Sequence, residues 1–171
     1  MDSEDIYVIK ELDKYVSITE YLKSQELHYR YQILENKIVE ANRWIARQLQ
    51  IPLATKVFSF KKLRIVNDLP KSIDHVYLEY SRVPGIEQLD LSDVSFYAVL
   101  KEHFNLQVTR NEEELAIVMP TKEEAELLQL RENEEVLTTK GHTYTSSIQP
   151  LEYFEITAVT SFYRFRSVSS T

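Results

Sequence analysis

One segment of the chain occurs twice. "ARQLQIPLATKV" from Ala46 and "AELLQLRENEEV" from Ala125 share their apolar positions at a constant offset of 79, pairing Ala46 with Ala125, Leu49 with Leu128, Ile51 with Leu130 and Val57 with Val136. Each copy reads as the end of a helix. Each then runs into a strand, a polar turn and a proline, Pro70 in the first and Pro150 in the second. A helix–strand–turn–strand unit has one apolar face and must bury it against another element. Two such units would build one mixed, mainly antiparallel sheet with helices packed on it, an α+β fold. A ligand cavity between the halves is then natural. The competing reading is chance, since Ala and Leu recur in any helix.

The rest of the chain fits this plan. "SITEYLKS" (17–24) reads as a short helix with Ser17 as N-cap and Glu20 three residues on, as in a capping box. Residues 29–40 read as a strand. A helix follows from Ala41, with Trp44, Ile45, Leu49 and Ile51 as its apolar positions. Strands are expected at 56–66 and 71–80 around a turn at Asn67-Asp68-Leu69-Pro70. "DVSFYAVLKEHFN" is a helix capped by Ser95 or Asp93. A strand near 107–119 precedes a helix capped by Thr121, with Glu124 completing its box. Strands near 135–145 and 150–166 close the chain. With only 2 glycines in 171 residues, turns that need positive φ must be few or made by Asn and Asp.

The hairpin "FSFKKLRIVNDLPKSIDHVYLEY" carries the chemistry. Alternation puts Phe58, Phe60, Lys62 and Arg64 on one strand face and Val57, Ser59, Lys61, Leu63 and Ile65 on the other. Two cations at i and i+2 stand roughly 7 Å apart, close enough to hold one phosphate or carboxylate. Asp74 on the returning strand could accept hydrogen bonds from hydroxyls. Cross-strand salt bridges on a solvated edge would explain the same pattern. Ser95 opens a helix, and a helix N-terminus attracts anions. Glu152 and Glu155 face opposite ways, and Glu152 takes the position analogous to Asp74.

Several classes are excluded. There is no cysteine, so disulfides, thiolate metal sites and thiol nucleophiles are out. His28, His75, His103 and His142 show no metal-binding spacing, and no G-x-S-x-G, Walker A or GxGxxG motif occurs. No cofactor is implied. A net charge of −7 with scattered basic residues argues against direct nucleic-acid binding. No apolar run could span a membrane, and the acidic "MDSEDIYVIK" is no signal peptide, so a cytoplasmic location is the default.

Taken in order, "IARQLQIPLATKVFSFKKLRIVNDLPKSIDHVYL", "LSDVSFYAVLKEHFNLQV" and "TKEEAELLQLRENEEVLTTKGHTYTSSIQPLEYFE" resemble the effector-binding (UTRA) domain of GntR-superfamily, HutC-type bacterial transcription regulators. The resemblance implies a chorismate-lyase-like fold used as a ligand sensor for sugar phosphates, amino sugars or other small metabolites. Lys62 and Arg64 match the basic residues that hold phosphate, Asp74 and Glu152 the ligand-facing acids, and Ser95 the capping serine at the phosphate. Ser17 or Thr19 falls near a further phosphate-contacting hydroxyl. The chain departs from the family in having Lys at 62 in place of Arg, which removes a bidentate contact. It also has Ala158-Val159-Thr160-Ser161-Phe162-Tyr163 where the family closes on Y-R-G-D-R-Y, so an aromatic ligand contact near Ala158 is missing.

These readings assign 1–16 to the end of an interdomain linker, 17–166 to the sensing domain and 167–171 to a tail. The expected protein is a homodimer that binds a small anionic effector and reaches DNA through a winged helix-turn-helix absent from this chain, as in an excised domain; a stand-alone sensor is the other possibility. The alternatives are a lyase on the same scaffold, which lacks a convincing acid–base pair, and a dimerisation module with a vestigial pocket.

Overall fold

The computed structural model describes residues 6–14 and 17–171. A six-stranded sheet in the order β2-β3-β4-β7-β6-β5 organises it. Its strands are β2 (Tyr29–Glu40), β3 (Lys56–Val66), β4 (Leu69–Glu79), β5 (Arg110–Val118), β6 (Val136–Tyr144) and β7 (Glu152–Val159). Every pairing within it is antiparallel. The parallel pairing lies elsewhere, in a two-stranded ribbon of β1 (Val8–Glu11) and β8 (Tyr163–Arg166).

The repeat is structural. Helix α2 (Arg43–Leu49) is capped by Asn42, and helix α4 (Lys122–Leu127) by Thr121, 79 residues later. Gln50 and Gln129 both sit at φ 54°, and Ala54 and Asn133 both at φ 63°, again 79 apart. Ile51 N–H donates to the Ala46 carbonyl as Leu130 N–H does to Ala125. The symmetry axis can be read from the register. In β4–β7, Ser72 pairs with Ala158 and Leu78 with Glu152, with His75 opposite Glu155 at the midpoint. The two halves therefore meet at the centre of the sheet, β2-β3-β4 on one side and β7-β6-β5 on the other.

Alternation sends the two strand faces to different layers. The outer face of Val57, Leu63, Ile65, Ile73 and Val136 packs against α2 and the end of α4. The inner face takes helix α3 (Phe96–Phe104) through Phe58, Phe60 and Leu78, against Val99 and Leu100. Helix α1 (Ile18–Ser24) and the β1–β8 ribbon cover the other end of that face, with Leu22, Val8 and Phe162 packed on Val66, Leu137 and Ala158.

Local chemistry accounts for the boundaries. Thr121 accepts from Glu124 N–H while the Glu124 carboxylate accepts from Thr121 N–H, a complete capping box. Ser17 accepts from Glu20 N–H at 3.4 Å. The β3–β4 turn is made by Asn67 and Asp68, at φ 48° and 62°, the two-residue geometry that matches strand twist. Asn and Asp thus supply that turn, as the scarcity of glycine requires. Glu26, Gln50, Ala54 and Gln129 also adopt positive φ, which the composition does not reveal.

Three expectations differ in detail. Residues 150–166 form two strands in two sheets, because the chain turns at Thr160 and Ser161 and Phe162 N–H closes back on the Val159 carbonyl at 3.0 Å. Residues read as linker include β1, held by pairing to β8. Trp44 is 41% exposed, with its ring edge-on to Tyr77 and Tyr153 instead of in the core.

Candidate functional site

A cavity of about 120 Å³ lies between the inner sheet face and the N-terminal ends of α1 and α3. Phe60, Val76, Phe96, Phe154 and Ile156 give it apolar walls. All seven residues singled out from sequence line it: Ser17, Thr19, Lys62, Arg64, Asp74, Ser95 and Glu152. The strands place them by alternation, since Lys62 pairs with Asp74 across β3–β4 and Arg64 with Ser72.

Arg64 is not a free cation. Its Nη2 donates to Asp74 Oδ2 at 2.7 Å, and Nη1 donates to Ser72 Oγ at 2.9 Å and Tyr163 Oη at 3.0 Å. Burial is the largest single influence and works against its charge, but Asp74, Tyr163 and Tyr31 together outweigh burial and raise the pKa. Asp74 is committed in turn, accepting from Arg64 and from the Ser72 hydroxyl. One guanidinium donor, Nε, is buried without a hydrogen-bond partner among the described residues.

Lys62 is the opposite case. It is 7% exposed and takes part in no hydrogen bond or ion pair among the described residues. Its ammonium stands 4.2 Å over the Tyr31 ring. Desolvation first, and then the neighbouring Arg64 charge, lower its pKa to about 8, against a smaller opposing pull from Asp74.

The other pole is acidic. Glu152 is fully buried, with Oε1 accepting from the Tyr97 hydroxyl at 2.6 Å and from Thr143 at 3.5 Å. Its Oε2 is buried without a hydrogen-bond partner among the described residues. Burial raises its pKa to about 7, against the smaller lowering effect of those two hydroxyls. The two poles are counterparts under the internal symmetry: Arg64–Ser72 in β3–β4 corresponds to Thr143–Glu152 in β6–β7, so Glu152 takes the place of Ser72 and not, as expected from sequence, that of Asp74, whose counterpart is Phe154.

The helix ends supply hydroxyls. Ser95 occupies the N-cap of α3 but makes no side-chain capping bond, which leaves its hydroxyl to the cavity. Thr19 shares a 2.7 Å hydrogen bond with the Tyr31 hydroxyl. Sequence reasoning missed Tyr31, Tyr97, Tyr163 and Lys10. Alternation along β2, with Tyr31 opposite Arg64, is a signal for the first. Tyr97, Tyr163 and Lys10 meet the site only through tertiary packing.

A second polar cluster lies on the outer face. Ser59 Oγ contacts His75 Nε2 at 2.8 Å and donates to Glu35 Oε2, while Glu35 also pairs with that same His75 nitrogen at 3.2 Å. A catalytic triad needs the acid on the opposite ring nitrogen, and Ser59 is only 1% exposed, so this is not a nucleophile. Among the described residues no group of His, Cys, Asp and Glu could hold a metal ion, and no helix is long and apolar enough to cross a membrane.

A family model described as the UTRA domain matches residues 24–164. The chain belongs to the UTRA domain family. As a UTRA domain it is of the effector-binding type found in GntR-family regulators. It is similar to YurK, an uncharacterized HTH-type transcriptional regulator of Bacillus subtilis, at 24% identity over 78% of this chain and 55% of that protein. It is also similar to the mannosyl-D-glycerate transport/metabolism system repressor MngR of Escherichia coli, at 22% identity over 90% of this chain and 63% of that one. The chain thus spans little more than half of the first relative and under two thirds of the second. In fold it resembles the effector domain of PhnF from Mycobacterium smegmatis, with TM-score 0.85, 18% identity, and 96% of this chain and all (100%) of that chain covered. The ligand-binding domain of a GntR-family regulator from Bordetella bronchiseptica aligns with TM-score 0.75 at 25% identity, over 84% of this chain and 90% of that one.

Proposed function

We propose that this UTRA domain is a non-enzymatic sensor that binds a small anionic metabolite against Lys62. Occupancy would set DNA binding by a winged helix-turn-helix elsewhere in a cytoplasmic, homodimeric regulator. The observation that carries the reading is the Lys62 ammonium: buried, in an apolar-walled cavity, and without an ion-pair partner among the described residues. A buried charge without a counter-charge is costly, and a bound anion removes that cost. Arg64 is already neutralised by Asp74, so its unpaired Nε offers direction more than net charge. Glu152 Oε2, at the opposite pole, asks for a donor such as a hydroxyl or an ammonium.

A sugar phosphate or sugar acid supplies both an anion and donors. The name of MngR points the same way for that relative, since a mannosyl-D-glycerate carries a carboxylate beside sugar hydroxyls. One observation favours the lyase alternative: Glu152 and Lys62 both titrate near neutrality in one cavity.

Native mass spectrometry of freshly purified protein, followed by a thermal-shift screen of sugar phosphates, amino sugars and organic acids, tests the reading. A retained metabolite with a phosphate or carboxylate is the expected result. At 100 times its dissociation constant it should add roughly 2.7 kcal/mol of stability. Lys62→Met should weaken it by about tenfold to a hundredfold, the worth of a charge-assisted hydrogen bond. A neutral sugar that binds as tightly as its phosphate ester would refute the anion reading, and turnover of the metabolite on incubation would favour the lyase. Light scattering at micromolar protein should report twice the 20.2 kDa chain mass.

A further inference from the structure

Lys10 lies outside the residues that match the family model, which begin at 24. It sits on β1, yet it lines the cavity beside Asn111 of β5. Its ammonium is bonded to Glu113 Oε2 at 2.7 Å, and both side chains are largely covered, at 14% and 11% exposure. The β1 pairing with β8 (Lys10 opposite Phe165) sets where the side chain can reach.

We propose that Lys10 is a second anion-binding residue of this cavity, held by Glu113 until a ligand takes it. The inference rests on the anion-binding reading above. Two features separate Lys10 from an ordinary surface pair. It opens onto a cavity that also holds the Lys62 ammonium, so an anion entering that space meets cations from two independent elements. Its partner belongs to the edge strand β5, and the Lys10 ammonium, at 14% side-chain exposure, is less deeply covered than the Arg64 guanidinium at 4%. The two acids are covered alike, at 11% and 12%, so it is the more exposed cation that makes this exchange cost less than breaking the buried Arg64–Asp74 pair. Lys10 is also joined through the ribbon to Tyr163, which accepts a hydrogen bond from Arg64. An anion that draws Lys10 inward would pull on the same ribbon that touches the opposite wall.

Inorganic phosphate is the probe, titrated calorimetrically at neutral pH and low salt into the whole chain and into Lys10→Met, Glu113→Gln and Lys62→Met. Lys10→Met should weaken phosphate about tenfold or more. Glu113→Gln, which releases Lys10 from its partner, should tighten phosphate by about threefold to fivefold. A structural strut predicts the reverse: unchanged affinity in both, with lost stability. Should Lys10→Met not fold, Glu113→Gln decides, because it keeps Lys10. Loss of binding in Lys62→Met alone, with Glu113→Gln binding like the unaltered chain, overturns the role of Lys10 and leaves the cavity reading intact. Phosphate that does not bind the unaltered chain, or that ignores Lys62→Met, overturns both.

Discussion

Glu152→Gln should make this protein more stable, and only at neutral and alkaline pH. The carboxyl is fully buried, one oxygen has no hydrogen-bond partner among the described residues, and its pKa rises from 4.5 to about 7. A carboxyl whose folded pKa is raised binds more protons in the native state than in the unfolded one. Its contribution is therefore lost as pH climbs from 4.5 through 7, and the full cost persists above. The gap between those values, at 1.36 kcal/mol per pH unit, amounts to about 3 kcal/mol at pH 8. Glutamine keeps an oxygen for the Tyr97 and Thr143 hydroxyls and never ionises. Urea denaturation at pH 5 and pH 8 measures the difference. The variant should match the unaltered chain at pH 5 and exceed it by about 3 kcal/mol at pH 8. In a chain of this size that is on the order of 6–12 °C in Tm. A variant that is destabilised at pH 8, or whose advantage is the same at both pH values, refutes the assignment of a buried, neutral-poised acid. Other titrating groups cancel in the comparison.

Arg64→Ala should cost about 3–5 kcal/mol in denaturation, because it strands Asp74 in the interior; unchanged stability would show the pair to be dispensable. Anion affinity should fall as pH rises above about 8, by up to roughly tenfold per pH unit, as Lys62 loses its proton, and binding at pH 8 should take up a proton. Calorimetry in buffers of different ionisation enthalpy reads that uptake, and pH-independent affinity from 7 to 9.5 would remove Lys62 from the site. Gly141→Ala should destabilise by about 1–3 kcal/mol or more, because a Cβ there would lie 1.9 Å from the Glu112 carbonyl oxygen and 2.8 Å from Glu113 Cα. Amide exchange should then show β5 loosening from β6, and a stable, unaltered β5 would contradict the contact.

Much of the architecture is written in local chemistry. The 79-residue echo, the Thr121–Glu124 box, the Asn67-Asp68 turn and strict alternation along β3 depend on neighbours within a few residues, so they are legible along the chain. Alternation also determines that Phe58, Phe60, Lys62 and Arg64 share a face, and the repeat implies a second half to close over it. The division of labour between the two cations is not local. Arg64 and Lys62 stand two residues apart on one strand face, but Ser72, Asp74 and Tyr163 converge on the guanidinium while nothing among the described residues pairs with the ammonium. Tyr163 is 99 residues from Arg64, and Lys10 is 103 from Glu113. The break of 150–166 into two sheets places Tyr163 there, through the β1 pairing that also carries Lys10 to the cavity. The sequence alone determined which side chains face inward, because strand period and helix caps are short-range. Which of those charges is neutralised and which is left for a ligand was decided only by tertiary structure, because electrostatic pairing and desolvation depend on distance in space and not along the chain.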